Sequence, residues 1–361
     1  RTIAGIPEKE SAAFFFLFLS FFFFLSSWKS KTQKSSIPLA ILAGISTAAM
    51  ALIWGGYGYI FLVLSVTVLI SFILGKVERS HIIVFGTWVL SAFIFMMPFS
   101  SRYTPKNLLS SLNTGMAVAI LAILIVHEIS KSHKFKKYFD IKSLSALPKQ
   151  IVSVIYTVVI GVLASSVAFG INFIPNQINT IMANLLRPAS SRLIVTVAEN
   201  RQPFFTEWAN NFGPIYNGFP ITFWLFFLDS IFLFYQALKV FKQKERVYIT
   251  SSYVFLLIAL VFSRYASNST FNGTNTQSLA LYSLGFIAVL GSLGYYYLKY
   301  HKQGDFSKFS KIDIGVIFTL AFFLLGIISA RGAVRLIMVL SAPAAILVGY
   351  FVTSLYSQIS N

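Results

Sequence analysis

Apolar residues in this chain come in long unbroken blocks, not in the stripes of a water-facing helix. Crossing the roughly 30 Å hydrocarbon core of a bilayer takes about 17–25 apolar residues in helical form. Blocks of that kind occupy 11–27, 37–54, 57–75, 81–98, 108–129, 151–173, 220–238, 247–263, 278–298, 312–330 and 333–357. These are eleven candidate spans, and the fold class they predict is an all-α polytopic membrane protein. The first block follows Glu8 and Glu10 and lacks a small-residue cleavage site, so it reads as a span and not as a signal peptide. Because the chain opens on Arg1 in what reads as mid-loop, it is expected to be a fragment of a longer polypeptide. Residues 1–361 are taken as one transmembrane domain, with 174–219 as a long external loop within it.

Composition agrees: 56% of residues are hydrophobic and only 11% charged, against about 25% charged in a soluble domain. With no cysteine, disulfides, thiolate metal sites and cysteine nucleophiles are excluded. The formal charge of +18 would suit a nucleic-acid partner, but its placement argues otherwise. Of the 29 basic residues, nineteen fall in the alternate loops near 29–34, 76–79, 131–149, 239–246 and 299–311. By the positive-inside rule that side is cytoplasmic, which puts the N-terminus outside and the C-terminus inside. The basic charge is therefore topological, and nucleic acid is not an expected partner.

The segment 174–219 stands apart, since loops beyond roughly 12–15 residues are usually functional or disordered. It carries a helix-like apolar stretch (Ile178, Ile181, Met182, Leu185, Leu186), and then Thr196-Val197-Ala198-Glu199, Asn200, Gln202, Pro203 and Trp208. The plain alternative is an interfacial amphipathic helix with Trp and Phe as headgroup anchors.

Acidic residues number eleven, and four of them, Glu8, Glu10, Glu199 and Glu207, fall on the expected outer face. Two carboxylates at i and i+2 converge on one cation only where the backbone is extended or turning, and Pro7 favours that just ahead of Glu8. Hard divalent cations take such oxygen ligands, so Glu8, Glu10 and Glu199 form a candidate Mg2+ or Mn2+ site. The alternative for Glu8 and Glu10 is a solvated helix start. Arg331 and Arg335 lie between two apolar spans, where arginine is costly unless paired or lining an aqueous cavity. At i and i+4 they are expected on one helix face at the start of a span, a favourable place for phosphate, with Arg335 the deeper of the two. The alternative is snorkelling to the headgroups. Asp229 sits mid-span with no role assigned to it.

Three stretches carry a family resemblance. Arg1-Thr2-Ile3-Ala4-Gly5-Ile6-Pro7-Glu8-Lys9-Glu10 resembles the second acidic motif of oligosaccharyltransferase catalytic subunits. Thr196-Val197-Ala198-Glu199 resembles their Thr-Ile-x-Glu motif, and Val334-Arg335-Leu336-Ile337 with Ala342-Pro343 resembles their Val-Arg-Leu-Met…Pro stretch. The likeness covers essentially the whole chain and is closer to archaeal members than to eukaryotic ones.

That resemblance implies a GT-C-type glycosyltransferase membrane domain with about eleven transmembrane helices. Its implied activity is metal-dependent transfer of an oligosaccharide from a dolichyl-phosphate-type lipid donor to asparagine of Asn-x-Ser/Thr sequons. The implied setting is the extracytoplasmic face of the cell membrane, in a single-subunit enzyme using Mn2+ or Mg2+. Glu8, Glu10 and Glu199 would be metal ligands, with Glu10 and Glu199 catalytic and Glu199 also contacting the acceptor amide. Arg335, Arg331 and Arg1 would bind the donor phosphate.

There are departures from the family pattern. The acidic pair is Glu-x-Glu where the family has Asp first, so Glu8 reaches one methylene farther. The first acidic motif, the last span and the soluble C-terminal domain of the family have no counterpart here, and 247–263 with 278–298 reads as an extra hairpin. On this basis the chain alone is expected not to glycosylate peptide.

Loop 264–277 holds two acceptor triplets, Asn268-Ser269-Thr270 and Asn272-Gly273-Thr274. Two rival assignments are another lipid-phosphosugar transferase, of O-mannosyl or aminoarabinose type, and a transporter. The Thr-Val-Ala-Glu stretch argues against the first. The lack of an internal repeat and the crowding of ionisable groups at one face argue against the second.

Overall fold

The computed structural model describes residues 9–132, 146–186 and 200–359. Among them, eleven helices are long and apolar enough to cross a membrane. The chain has the architecture of an all-α polytopic membrane protein, and it divides into two compact units, Arg1–Ile171 and Asn172–Asn361.

The first unit contains α1 (Lys9–Lys29), α2 (Gln33–Ile53), α3 (Gly58–Ile73), α4 (Arg79–Met96), α5 (Pro105–Ser110), α6 (Leu112–Ser130) and α7 (Lys149–Phe169). The expected span at 108–129 is divided at Ser111, whose extended backbone separates the short α5 from α6. Thr104 caps α5 by accepting from the Asn107 N–H, and Pro105 at its first position costs no hydrogen bond.

Lipid tails are as apolar as leucine, so packing between spans depends on close approach and on polar contacts. Most of the buried residues of α2 are small, Ala40, Ala43, Gly44, Thr47 and Ala48 among them. A Cβ at Gly44 would lie 1.9 Å from Ser91 Oγ and 2.7 Å from the Ala92 nitrogen, so glycine is what lets α2 meet α4. Three helices join at Thr47, which accepts from Trp88 Nε1 at 3.0 Å and pairs with Ser20 Oγ at 2.8 Å.

The second unit contains α8 (Phe173–Leu186), α9 (Phe205–Asn211), a two-stranded hairpin of β1 (Ile215–Tyr216) and β2 (Phe219–Pro220), α10 (Ile221–Ala237), α11 (Gln243–Phe262), α12 (Thr276–Lys302), α13 (Ile314–Gly332) and α14 (Ile337–Ile359). Its core joins Phe223 and Phe226 of α10, Leu256 and Leu260 of α11, Phe323 and Ile327 of α13, and Leu340 and Leu347 of α14. The hairpin anticipated at 247–263 and 278–298 is the α11–α12 pair. It packs closely because a Cβ at Gly285 would stand 2.8 Å from the Ala259 Cβ. Side-chain caps start two of these helices: Asn275 accepts from the Ser278 N–H at 3.0 Å, and Asp313 from the Gly315 N–H at 2.6 Å.

The long loop is largely folded where it is described. The apolar stretch expected as a helix is α8, with Ile178 and Met182 exposed and Leu186 against the core. Trp208 differs from the headgroup anchor considered above. It is 1% exposed, buried in α9 with its ring 6.5 Å from that of Phe223. Through Trp208, and Phe205 packed beside it, α9 is anchored to the core of the second unit.

Candidate functional site

The site grows from the junction of α13 and α14, where Arg331 and Arg335 lie. Glycine is a poor helix continuer, and α13 stops at Gly332. Ala333 is extended (φ −156°, ψ 141°), a single tight turn follows over Val334–Leu336, and α14 starts at Ile337. The two arginines therefore do not share a face of one helix, as their spacing suggested. Arg331 closes α13, where the carbonyl end of the helix favours a cation, and Arg335 sits in the turn that opens α14.

Their burial is also the reverse of the expectation. Arg331 is 2% exposed, whereas Arg335 is exposed. Arg331 Nε and Nη2 donate to Ser263 Oγ at 3.3 and 3.2 Å, and its guanidinium lies 4.0 Å from the centroid of the Tyr282 ring. A desolvated cation over an aromatic face gains about 2 kcal/mol. Among the described residues Arg331 has no carboxylate partner, so a hydroxyl and a ring hold it.

The end of the long loop runs directly against this junction. The Val334 N–H donates to the Arg201 carbonyl at 2.9 Å, and the Phe205 N–H to the Tyr265 carbonyl at 3.1 Å. Arg264 clasps the same segment. Its Nε donates to the Gln202 carbonyl at 3.2 Å, its Nη1 to the Asn272 carbonyl at 2.9 Å, and its guanidinium lies 4.2 Å from the Phe204 ring centroid. Gly273, at φ +89°, keeps the 264–273 turn within reach, because a Cβ there would stand 2.7 Å from Arg264 Nη1. Arg201 pairs with Glu207, which also accepts from the Phe204 N–H at the start of α9.

Arg201, Arg264, Arg331 and Glu207 are thus linked by contacts or charge, and the exposed Arg335 follows Val334 in the adjoining turn. Burial, the charge of Arg331 and that of Arg201 pull Arg264 down to about 10, with Glu207 opposing them. It remains a cation at neutral pH. An excess of fixed positive charge on structured loops attracts an anion, and arginine's planar fork suits phosphate.

Of the residues singled out by sequence, Arg331 and Arg335 fall within this constellation. Glu199 lies outside the described residues, but Arg201, two positions later, is hydrogen-bonded to Val334, the neighbour of Arg335. Glu10 is described in the first unit, half-buried in the first turn of α1. The helix already begins at Lys9, so the extended backbone expected through Glu10 ends before it. Glu8 and Arg1 lie outside the described residues. Among the described residues no three acidic, histidine or cysteine side chains gather in a metal-binding group; two of the three expected ligands are not among them. Asp229 is 1% exposed in mid-α10, and neither carboxylate oxygen has a hydrogen-bond partner among the described residues.

The sequence did not single out Ser263, Arg264 or Tyr282. The available signal was the clustering of arginine, rather than lysine, on the side with fewer basic residues. Comparison with protein-family models, curated proteins and solved structures finds no match to this chain.

Proposed function

We propose that this chain is a GT-C-type membrane domain of an oligosaccharyltransferase catalytic subunit, acting at an extracytoplasmic membrane surface. The observation that carries this assignment is the 2.9 Å hydrogen bond from the Val334 N–H to the Arg201 carbonyl. It joins Arg201, two positions after Glu199 in the sequence, to Val334, the residue before Arg335, and this contact supports a reading in which both stretches serve one site.

The substrates are a lipid-linked oligosaccharide and a polypeptide bearing Asn-x-Ser/Thr. The asparagine nitrogen attacks the anomeric carbon and gives up one N–H proton to solvent, and the bond from that carbon to the phosphate oxygen breaks, its electron pair leaving with the lipid phosphate. Negative charge grows on that phosphate. Groups aimed there in advance lower the barrier most. Arg335, exposed in the turn that opens α14, is the residue assigned to bind the phosphate directly. Arg331 is already engaged by Ser263 and Tyr282, so it supplies fixed positive potential behind that turn. Arg1 is assigned to the same phosphate.

Glu199 is assigned to the acceptor amide, and Glu8, Glu10 and Glu199 to a divalent cation. A donor set made wholly of carboxylate oxygens suits Mg2+ or Mn2+. When bound, such a cation would help neutralise the departing phosphate. The α9 segment and the loop before it, clasped by Arg264 and Arg201, give the acceptor side a structured wall.

The test is glycosylation in vitro of an Asn-x-Thr peptide from a lipid-linked oligosaccharide, using the natural full-length protein with and without Mn2+. Glu199→Gln is expected to abolish transfer while the protein remains folded. Full activity in that variant would overturn the assignment.

A further inference from the structure

The second unit contains a cavity that the glycosyl-transfer assignment does not use. It lies where α10 ends, α13 begins and α14 nears its end, and it encloses about 470 Å3. These are the helix ends opposite the junction of α13 and α14. Phe232 and Gln236 line it one helical turn apart on α10, followed by Lys239; Tyr350 lines it from α14, and Lys311 and Asp313 from the approach to α13.

The lining is graded along the helix axis. Phe232 and Tyr350 offer aromatic surface, Gln236 an amide, and Lys239 and Lys311 two ammonium groups. From Phe232 to Lys239 is seven residues, or about 10 Å of helix. Both lysines are exposed, and among the described residues neither has an ion-pair partner. Asp313 is the opposing charge, and one of its oxygens already accepts from the Gly315 N–H.

We propose that this cavity binds an anionic phospholipid. Its phosphate lies between Lys239 and Lys311, and an acyl chain runs along Phe232 and Tyr350. Basic pockets between spans are favoured sites for such headgroups, since each lysine near the surface adds attraction for an anionic lipid. The apolar part of the wall selects a lipid over a soluble phosphate. This site is separate from that assigned to the donor phosphate, and it stands whether or not the chain transfers glycans.

The experiment is native mass spectrometry of the purified chain titrated with phosphatidylglycerol or phosphatidylcholine. Phosphatidylglycerol is expected to bind with at least about tenfold preference, and the double variant Lys239→Gln, Lys311→Gln to lose it. The control Lys244→Gln, Lys302→Gln removes the same charge from exposed positions outside the cavity and is expected to keep the preference. Equal binding of the two lipids, or equal loss in both double variants, would overturn the proposal. So would displacement of the lipid by inorganic phosphate or glycerol 3-phosphate at matched concentration, which would identify a soluble-anion site.

Discussion

The backbone N–H of Val334 donates to the carbonyl of Arg201, 2.9 Å away, and so fastens the end of the long loop to the junction between α13 and α14. Val334 follows an extended residue and is the first of a tight turn, a place where proline fits without strain. Val334→Pro therefore removes the donor, together with part of the valine's packing against the core. The expected cost is about 1 kcal/mol, with faster amide exchange across residues 200–208 by hydrogen–deuterium exchange. Unchanged exchange there would show that this bond does not hold the loop.

Arg331 rests on the ring of Tyr282, not on a carboxylate, so the ring matters more than its hydroxyl. Tyr282→Phe keeps the ring and is expected to leave thermal stability in detergent within about 0.5 kcal/mol of the wild type. Tyr282→Leu removes the cation–π contact and is expected to lose about 2 kcal/mol. Equal stability of the two variants would remove the ring from the account of how this arginine is buried.

In the first unit, Gly44→Ala places a methyl group against Ser91 and the α4 backbone, 1.9 Å and 2.7 Å from the nearest atoms. Overpacking of this kind costs about 1–3 kcal/mol. Gly161→Ala, where no atom lies within 4 Å, is the control and is expected to be neutral or slightly stabilising. Thermal unfolding in detergent separates the two.

If the turn at the start of α14 holds the donor phosphate, removing its charge acts on the transition state more than on folding. Arg335→Ala is expected to lower peptide glycosylation by about 100-fold or more, and Arg335→Lys to recover part of that. Because Arg335 is exposed, the melting temperature of both variants is expected to match the wild type. A fall in stability equal to the fall in activity would make this arginine structural.

Much of the fold was legible in the chain because the bilayer requirement is strict. A helix must be apolar over its whole crossing, and such a block is visible without knowing any neighbour. The eleven expected blocks correspond to the eleven membrane-length helices among the described residues, with shifts of a few residues at their ends. The division at Ser111 was not visible, since the residues on either side remain apolar enough to continue. Nor was the burial of Trp208, because an aromatic residue in a loop has the same composition at an interface as inside a core.

The candidate site was legible in type but not in arrangement. The scarcity of carboxylates and the excess of arginine at certain loops are properties of the chain itself, and they pointed to Arg331 and Arg335. Spacing then implied one shared helix face with Arg335 the deeper residue. The structure reverses both expectations, because Gly332 and Ala333 interrupt the helix between the two arginines. Ser263, Arg264 and Tyr282 had no signal of their own; they matter only because α11, α12 and the turn between them come up against the end of α13.

By itself, then, the sequence determined which described segments form helices long and apolar enough to cross a membrane, and the kinds of charged groups between them, both of which follow from what water and lipid tolerate along one chain. Only the tertiary structure decided that Arg331 is enclosed while Arg335 remains open, and that Arg201 is bound to Val334. Those outcomes depend on which distant segments pack together, and local hydrophobicity carries no record of that choice.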